Sequence, residues 1–302
     1  MTPWSNDPVT DRPGEAFYIQ DDETHDIWCP TAALRRDPAA TYVARHGRGY
    51  SRFDRVAHGI GSSLLHTVPL ADPIRISRLT LHNLSGHARS LSITAYVEWI
   101  LGPSRAATAA FVTTEMDPGT GAMFARNPWP QNGVSRAAFA DLRGRQTAWT
   151  GDRRAFIGRN GTLAQPAALA QPAALDGPMG LSGTVGAGLD PCGALQATIA
   201  LPPGGQAEIV FFLGEVPTAE EARRLILQYR SADLDAVLAA VGQHWEGVLG
   251  AVQVKTPDRS MDIMLNGWLL YQTLDCRVWA RAGSIRPAAR SAFVISCKTA
   301  WH

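Results

Sequence analysis

Trp4, Asn6 and Asp7 lie in a short run whose residue types could bind a ligand. An indole ring can stack on the C–H face of a sugar, and short amide and carboxylate side chains can pair with sugar hydroxyl groups. The same run, Trp4-Ser5-Asn6-Asp7-Pro8, also fits an ordinary Asn-Asp-Pro turn, and its spacing alone favours the turn. Trp4, Asn6 and Asp7 are therefore candidates for carbohydrate contact.

The other patterns that could carry chemistry indicate structural roles. Residues 46–53 are Gly-rich but lack the phosphate-binding Gly pattern followed by a helix, which predicts a β-turn with a close backbone approach. The eight histidines lack metal-ligand spacing, so no metal and no cofactor is expected. The acidic runs Asp21-Asp22-Glu23 and Glu220-Glu221 lie in a polar turn and at a helix start, where we expect solvated carboxylates. We find no motif for a nucleophile.

Charge and cysteine usage narrow the class of protein. The 302 residues carry 28 basic and 27 acidic side chains without a basic stripe, which argues against a nucleic-acid partner. Cys29, Cys192, Cys276 and Cys297 are far apart and are predicted to be free thiols, which favours a cytoplasmic location. We expect neither a leader peptide nor a membrane segment.

The order of elements predicts a mainly β protein with two stacked antiparallel sheets. Between residues 16 and 212, short β-prone runs alternate with Gly, Pro, Asn and Asp clusters. Residues 74–84 and 90–99 alternate at period two around a short turn, which predicts a hairpin with one buried face. Further strands are predicted at 109–115, 121–126, 135–141, 195–201 and 207–213.

Helices follow the strands, and one short repeat lies within the region of the strands. Thr218 with Glu221 forms a capping box, which predicts the start of a first helix. A second helix is predicted at 233–249 and a third at 258–279. The third is apolar around several turns, so we expect another body to pack on it. Residues 163–168 are copied as 169–174, and their prolines predict a surface loop.

Several runs together resemble glycoside hydrolase family 94, and more narrowly the carboxy-terminal region of cyclic β-1,2-glucan synthases. They span residues 2–281 and include TPWSNDPVTDRPGEAFYIQDDET, YVARHGRGYSRFDRVAHGI, RISRLTLHNLSGHARSLSITAYVEWILGPSR, ARNPWPQNG, GRNGTL, GLDPCGALQ and KTPDRSMDIMLNGWLLYQTLDCRVWAR. The resemblance implies a β-supersandwich of the galactose-mutarotase type, then linker helices, then an (α/α)6 barrel. It also implies that the catalytic acid and the phosphate-binding groups lie on that barrel.

We predict that the sequence departs from this family after Arg281. Codons chosen for Ser284–His302 can be read in a shifted frame as FYQASGAFGFRDQLQDSMA, the continuation that the family predicts. The hypothesis is a frameshift that removes the barrel, and the alternative is a natural short protein. The predicted domains are a supersandwich at 1–215 that lacks its first strands, a helical linker at 216–281 and an unmatched tail at 282–302.

These expectations give three functional alternatives. The first is a truncated fragment without catalysis, which keeps a weak contact to β-glucan or glucosyl carbohydrate. The second is a subunit that complements a separately encoded barrel in β-glucan phosphorolysis or glucosyl transfer; a homodimer is a further possible assembly. The third is an unstable pseudogene product. The resemblance implies that the parent synthase is associated with the inner membrane.

Overall fold

Two antiparallel sheets form the body of the protein. The structure is a computed structural model, and it describes residues 1–3, 13–129, 135–170 and 180–274. The first sheet has five strands, in the spatial order β11 (Ala148–Asp152), β12 (Pro191–Leu201), β7 (Arg89–Glu98), β1 (Glu15–Asp21) and β2 (Ile27–Trp28).

The second sheet has eight strands. Their spatial order is β3 (Tyr42–Gly47), β4 (Tyr50–Ala57), β5 (Ile60–Thr67), β6 (Ile74–Asn83), β13 (Gln206–Val216), β10 (Ala137–Asp141), β9 (Met123–Arg126) and β8 (Thr113–Met116). The main hydrophobic core lies between the two sheets and is built from alternate residues of both, as expected for stacked sheets. The predicted mainly β supersandwich class is therefore confirmed.

The predicted hairpin at 74–84 and 90–99 is wrong in its pairing, although both strands exist. β6 pairs with β5 and β13, whereas β7 pairs with β1 and β12 in the other sheet. Leu79 and Leu91 therefore reach the same core from opposite sides. The connection crosses between the sheets, and buried Asn83 anchors it by donating through Nδ2 to the Leu201 carbonyl at 3.0 Å. Period-two alternation fixes the buried face of a strand but does not identify its sheet.

The predicted strand at 109–115 begins too early. A short helix, α1 (Arg105–Thr108), comes first, and its Thr108 Oγ1 donates to the Ser104 carbonyl at 2.9 Å. The strand then covers Thr113–Met116. The other later strands were predicted within a few residues of their observed bounds.

The acidic turn at residue 21 also differs from the prediction. Asp21 is buried, not solvated, and its carboxylate accepts a hydrogen bond from Arg89 Nε at 2.6 Å. Burial alone would raise the pKa of Asp21, but hydrogen bonds from the Thr24 backbone N–H and from Arg89 outweigh it and lower the pKa below its ordinary value. Glu220 is exposed at a helix start, as predicted.

A packed segment covers the outer face of the five-stranded sheet. It contains α2 (Arg153–Ile157) and a single 3₁₀ turn at Ala167–Leu169. Tyr18 Oη donates to the Leu163 carbonyl at 2.6 Å, and Leu169 is buried against the sheet. The first copy of the repeat is thus anchored to the sheet, which corrects the prediction of a surface loop. Residues 171–174 of the second copy lie outside the described residues.

Two helices follow the sandwich, as predicted. α3 (Ala219–Ser231) begins at its N-cap Thr218, whose Oγ1 accepts from the Glu221 N–H at 3.2 Å. It covers part of the outer face of the eight-stranded sheet with a buried apolar stripe. α4 (Leu234–Gly250) begins at its N-cap Asp233.

A turn of the eight-stranded sheet contacts α4. The β3–β4 connection is the two-residue turn Arg48-Gly49, and Gly49 has a φ of +79°. A Cβ at Gly49 would overlap Val241 Cγ1 of α4. The predicted β-turn with a close backbone approach is confirmed, because only glycine fits this φ and this contact.

The third predicted helix is described as far as residue 274. It consists of α5 (Arg259–Ile263), a π-helical segment (Met264–Trp268) and α6 (Leu269–Thr273), together called the apolar helix (259–273). The wide π turn coincides with Asn266, whose side chain bonds both the N–H and the carbonyl of Val254, at 2.8 and 2.7 Å. The helix packs on α4, where the rings of Tyr271 and Trp245 have centroids 4.6 Å apart. In the described part of the chain, no helix is long and apolar enough to cross a membrane.

Candidate functional site

The predicted carbohydrate-contact residues Trp4, Asn6 and Asp7 lie outside the described residues, but both flanks of their segment are described. The Met1 carbonyl accepts a hydrogen bond from the Ile100 N–H at 2.7 Å, and the Gly14 carbonyl accepts from the Glu98 N–H at 2.8 Å. Both flanks therefore lie where β7 ends. We call this region the β7 end of the sandwich.

An ion-pair network holds the β7 end together. Arg105 pairs with both Glu98 and Asp190, and Arg153 lies 3.4 Å from Glu98 and 3.5 Å from Asp190. The four residues come from β7, α1, α2 and the segment before β12. Two carboxylates between two guanidinium groups join four separate segments, so the network stabilises this end of the sandwich. The sequence did not reveal this network, because its members are up to 92 residues apart along the chain.

A second loop starts and ends at the same place. Buried Asn127 donates through Nδ2 to the Leu101 carbonyl at 2.9 Å, and its Oδ1 accepts from the Trp129 N–H at 2.9 Å. Ser135 Oγ donates to the Asn127 carbonyl at 3.2 Å. Trp129 itself is 74% exposed. The sequence interpretation did not include this turn, although Asn127-Pro128 followed by an aromatic residue is a turn signal that could have indicated it.

A polar cluster lies between the sheets, on β5 and β6 of one sheet and β1 of the other, and its Arg75 and Ser77 are buried. Arg75 forms an ion pair with Glu15, and His66 Nδ1 lies 2.8 Å from Ser77 Oγ. Burial, together with the nearby charge of Arg75, lowers the pKa of His66 to about 3. His66 is therefore neutral at physiological pH and is not available as an acid. Among the described residues, no group of His, Cys, Asp and Glu could hold a metal ion.

An open groove of about 800 Å³ crosses the outer face of the eight-stranded sheet beside α4. Its charged groups are tied to one another: Arg78 Nε lies 2.8 Å from Glu208, and Arg52 Nε donates to Asp54 at 2.8 Å. Partial burial opposes ionisation of Asp54, but hydrogen bonds from Arg52 and Ser63 outweigh it and lower its pKa. A carboxyl that donates a proton near neutral pH needs a raised pKa, so Asp54 does not fit that role. The lining contains no Trp, Tyr or Phe ring for a sugar to stack on.

The two described cysteines have the properties of inert thiols. Cys29 and Cys192 are free and buried, as predicted for reduced cysteines. Burial raises the pKa of Cys29 to about 12 and raises the pKa of Cys192 well above its ordinary value. Since the thiolate is the reactive form, the raised pKa disfavours a nucleophilic role for both residues. Cys276 and Cys297 lie outside the described residues.

Comparisons with known proteins agree with this architecture. The family model of the glycosyl hydrolase 94 supersandwich domain matches residues 1–232, a span that includes α3. The model of the glycosyl hydrolase 94 superfamily catalytic domain matches residues 244–292. The apolar helix thus lies within the catalytic-domain match, whereas the predicted linker was 216–281. Bacterial glucoamylase complexed with acarbose has a similar fold, with a TM-score of 0.50 and 8% identity over 78% of this chain and 31% of that chain.

Two relatives match almost all of this chain. The cyclic beta-(1,2)-glucan synthase NdvB of Rhizobium meliloti is 36% identical over 93% of this chain. The N,N'-diacetylchitobiose phosphorylase of Vibrio furnissii is 28% identical over 91%. The chain spans only 10% of the synthase and 34% of the phosphorylase. On the length of the supersandwich match and the identity to the synthase, the chain belongs to the glycosyl hydrolase 94 family and contains its supersandwich domain.

Proposed function

We propose that this chain is a non-catalytic part of a family 94 protein that acts on β-linked glucans, and that it supplies a sugar-contacting sandwich and a docking helix. The observation that carries the proposal is the apolar helix. It lies within the catalytic-domain match, yet it exposes six large apolar side chains: Met261, Ile263, Met264, Leu265, Trp268 and Leu269. A contiguous exposed apolar surface of this kind is typical of an interface.

The partner that best fits this helix is the remainder of a catalytic barrel. Residues 264–274 carry no charge, and Ile263 is 57% exposed. Burial of such side chains against another apolar surface contributes about 25 cal/mol per Å². A homodimer through the same helix is the alternative assembly, and the mass of the complex in solution distinguishes the two.

The described residues support binding and positioning better than catalysis. Inverting cleavage of a glycosidic bond needs a proton-donating carboxyl. At the β7 end, Glu98 and Asp190 are instead engaged by Arg105 and Arg153. The family resemblance assigns the acid and the phosphate-binding groups to the barrel, so we propose that they come from outside this chain. Trp4, Asn6 and Asp7 are proposed sugar contacts.

An activity assay tests the absence of catalysis. Purified chain is incubated with β-1,2-linked gluco-oligosaccharide and inorganic phosphate, and release of glucose 1-phosphate is measured. We expect no release above the rate without protein. Measurable phosphorolysis by the purified chain contradicts the proposal.

The exposed helix also favours a second candidate function, a subunit that complements a separately encoded barrel. Co-expression with the next reading frame should give a complex with phosphorolytic activity. Leu265→Asp on the apolar helix should abolish the complex, whereas Leu227→Asp should not, because Leu227 is exposed on a different helix, the sheet-bound α3. Absence of a complex with the unaltered chain rejects this candidate.

The frameshift near Arg281 is a separate proposal about the gene. The catalytic-domain match continues to residue 292, so the test must cover the codons on both sides of Arg281. We expect the nucleotide sequence to contain a shifted frame that continues the barrel. If no such frame exists downstream, the frameshift hypothesis is wrong, and the docking proposal is unaffected.

A further inference from the structure

The sandwich and the described part of the catalytic-domain match have separate apolar cores. The supersandwich match ends at residue 232 and the catalytic-domain match begins at residue 244, so α4 crosses the boundary between them. Val241 and Trp245 of α4 pack with Leu270 and Tyr271 of the apolar helix, and in the described ranges this cluster includes no residue of either sheet. The direction in which these two helices leave the sandwich therefore depends on contacts outside the main core.

The turn Arg48-Gly49 between β3 and β4 reaches both helices, and we call it the β3–β4 turn. A Cβ at Gly49 would overlap Val241 Cγ1 and would lie 3.1 Å from Trp245 Cδ1. A Cβ at Gly267, in the π-helical segment of the apolar helix, would lie 3.8 Å from Arg48 Nη2. The backbone of this turn therefore contacts α4, and the guanidinium group next to it lies beside the apolar helix.

The β3–β4 turn and the start of α4 are both fixed to the eight-stranded sheet. Buried Thr67 of β5 donates through Oγ1 to the Gly49 carbonyl at 2.9 Å. At the start of α4, Leu234 packs in the apolar cluster that α3 forms on the sheet, and Asp235 forms an ion pair with Arg78 of β6. The sheet thus holds α4 at its start and again in its middle, and two fixed points define the direction of a helix axis.

We infer that the β3–β4 turn is a positioning element, which sets the direction in which the sandwich presents the apolar helix to its partner. Closely packed atoms yield little, so a contact at the Gly49 backbone fixes the position of α4. The rings of Trp245 and Tyr271, with centroids 4.6 Å apart, connect α4 to the apolar helix, which therefore follows its position. The inference rests on the proposed function for the partner, the remainder of the barrel, but the positioning can be measured in this chain alone.

Gly49→Ala tests the inference in the full chain. The added methyl group overlaps Val241, so α4 has to move away from the turn. We expect amide hydrogen exchange, measured by mass spectrometry, to become about tenfold faster in residues 241–273 and to stay unchanged in β6, β7 and β13.

Gly59→Ala is the matched control. Gly59 lies in the two-residue turn between β4 and β5 and has a φ of +76°, close to the +79° of Gly49, so an alanine strains both turns equally. The nearest atom to a Cβ at Gly59 is Ser85 Cβ, at 3.3 Å, and not an atom of α4. Exchange in residues 241–273 should therefore match that of the unaltered chain.

Two further variants separate the contact from the strain in the turn. Val241→Ala removes the methyl groups that the new Cβ meets, so exchange in the double variant Gly49→Ala/Val241→Ala should return to the rate of Val241→Ala alone. Thr67→Val keeps the volume of the side chain but removes the hydrogen bond to the Gly49 carbonyl, and it should speed the same exchange to a smaller extent. Thermal unfolding shows whether each variant is folded, and Thr67→Val decides the question if Gly49→Ala does not fold.

Unchanged exchange in residues 241–273 of folded Gly49→Ala overturns the inference, as does fast exchange that Val241→Ala fails to restore. If Gly49→Ala does not fold, unchanged exchange in Thr67→Val overturns it. The docking test with Leu265→Asp is independent of these results. Absence of a complex with the barrel rejects the docking proposal, whereas the exchange rates still decide whether the β3–β4 turn positions the apolar helix.

Discussion

α3 and the apolar helix both carry many apolar side chains, yet their surroundings differ. The apolar stripe of α3, with Leu225 and Tyr229, is buried on the eight-stranded sheet. The apolar helix packs on α4 through Leu270 and Tyr271 and exposes its other large apolar side chains. α3 lies within the supersandwich match and the apolar helix within the catalytic-domain match. Similar apolar content is thus buried on the sheet in one helix and remains exposed in the other.

Polar tethers reinforce the position of α3. Arg230 donates through Nε and Nη2 to the fully buried carboxylate of Asp141, at 2.9 and 2.7 Å. Arg223 lies 2.8 Å from buried Asp117. Tyr229 Oη donates to Asp72 at 2.8 Å. Within the described residues, no ion pair joins the apolar helix to either sheet. The comparison can be tested by removing these tethers and contacts one at a time.

The largest effect is expected for Arg230→Ala. This change leaves the Asp141 carboxylate buried without its cation, which lowers the free energy of unfolding by about 3–5 kcal/mol. Urea denaturation measures it. Arg224→Ala is the matched control, because Arg224 is exposed on the same helix and its guanidinium contacts only Gln228 among the described contacts; we expect a change within about 0.5 kcal/mol. Equal effects of the two changes would contradict the tethering role.

Leu225→Ala and Leu265→Ala test how much apolar packing each helix contributes to the stability of the fold. Leu225 is fully buried, and its truncation should lower the free energy of unfolding by about 2–5 kcal/mol. Leu265 is 38% exposed, and its truncation in the isolated chain should cost less than about 1 kcal/mol. Leu227→Ala, at 55% exposure on α3, should resemble Leu265→Ala. If Leu265→Ala is as damaging as Leu225→Ala, the apolar helix is part of the folded core.

The sequence predicted α3 and α4 well because local signals determine their starts. Thr218 and Asp233 are short polar caps ahead of apolar periodicity, and both are the observed N-caps. Likewise, period two predicted the strands β6 and β7. It did not predict their separate sheets, because the sheet of a strand depends on partners such as β13, which is more than 100 residues away.

The candidate site was less predictable for a related reason. Trp4 is a candidate because an aromatic residue close to amide and carboxylate groups is a pattern that the sequence itself contains. The turn before Trp129 is held by a hydrogen bond from Asn127 to the Leu101 carbonyl, and buried Asp21 is paired with Arg89. These are long-range contacts, which composition and spacing do not encode. The sequence thus supplied the residue types, and the topology of the sheets brought them together.

The pH dependence of stability tests the Arg223 tether of α3. Burial alone would raise the pKa of Asp117, but hydrogen bonds from Arg223 and Thr120 outweigh it and lower the pKa below its ordinary value. A carboxyl with a lower pKa in the folded state stabilises the fold above its unfolded pKa of about 3.9, and this contribution is lost as pH falls toward the folded pKa. Each unit of difference corresponds to about 1.4 kcal/mol.

Urea denaturation between about pH 7 and pH 2 measures the free energy of unfolding of the unaltered chain and of Asp117→Asn. The difference between the two should become smaller as the pH falls, because acid neutralises the charge that the variant already lacks. Arg223→Gln removes the partner of Asp117 and should likewise flatten the dependence of the free energy of unfolding on pH. If the profiles of the unaltered chain and Asp117→Asn stay parallel down to pH 2, the ion pair does not contribute to the stability of the fold.

The smallest expected effect compares the caps of the two helices. Thr218 Oγ1 caps α3 through the Glu221 N–H at 3.2 Å, and Asp258 Oδ1 caps the apolar helix through the Ser260 N–H at 2.8 Å. Thr218→Ala should lower the global free energy of unfolding by about 1 kcal/mol, because α3 unfolds with the sheet that it covers. Asp258→Ala removes an equivalent hydrogen bond but should change global unfolding by less than about 0.5 kcal/mol, since the apolar helix can open locally while the sandwich stays folded. Amide hydrogen exchange provides the decisive measurement: Asp258→Ala should speed exchange only in the apolar helix, whereas Thr218→Ala should speed it in α3 and in the strands beneath it. Faster exchange throughout the sandwich in Asp258→Ala would show that the two helices belong to one cooperative unit.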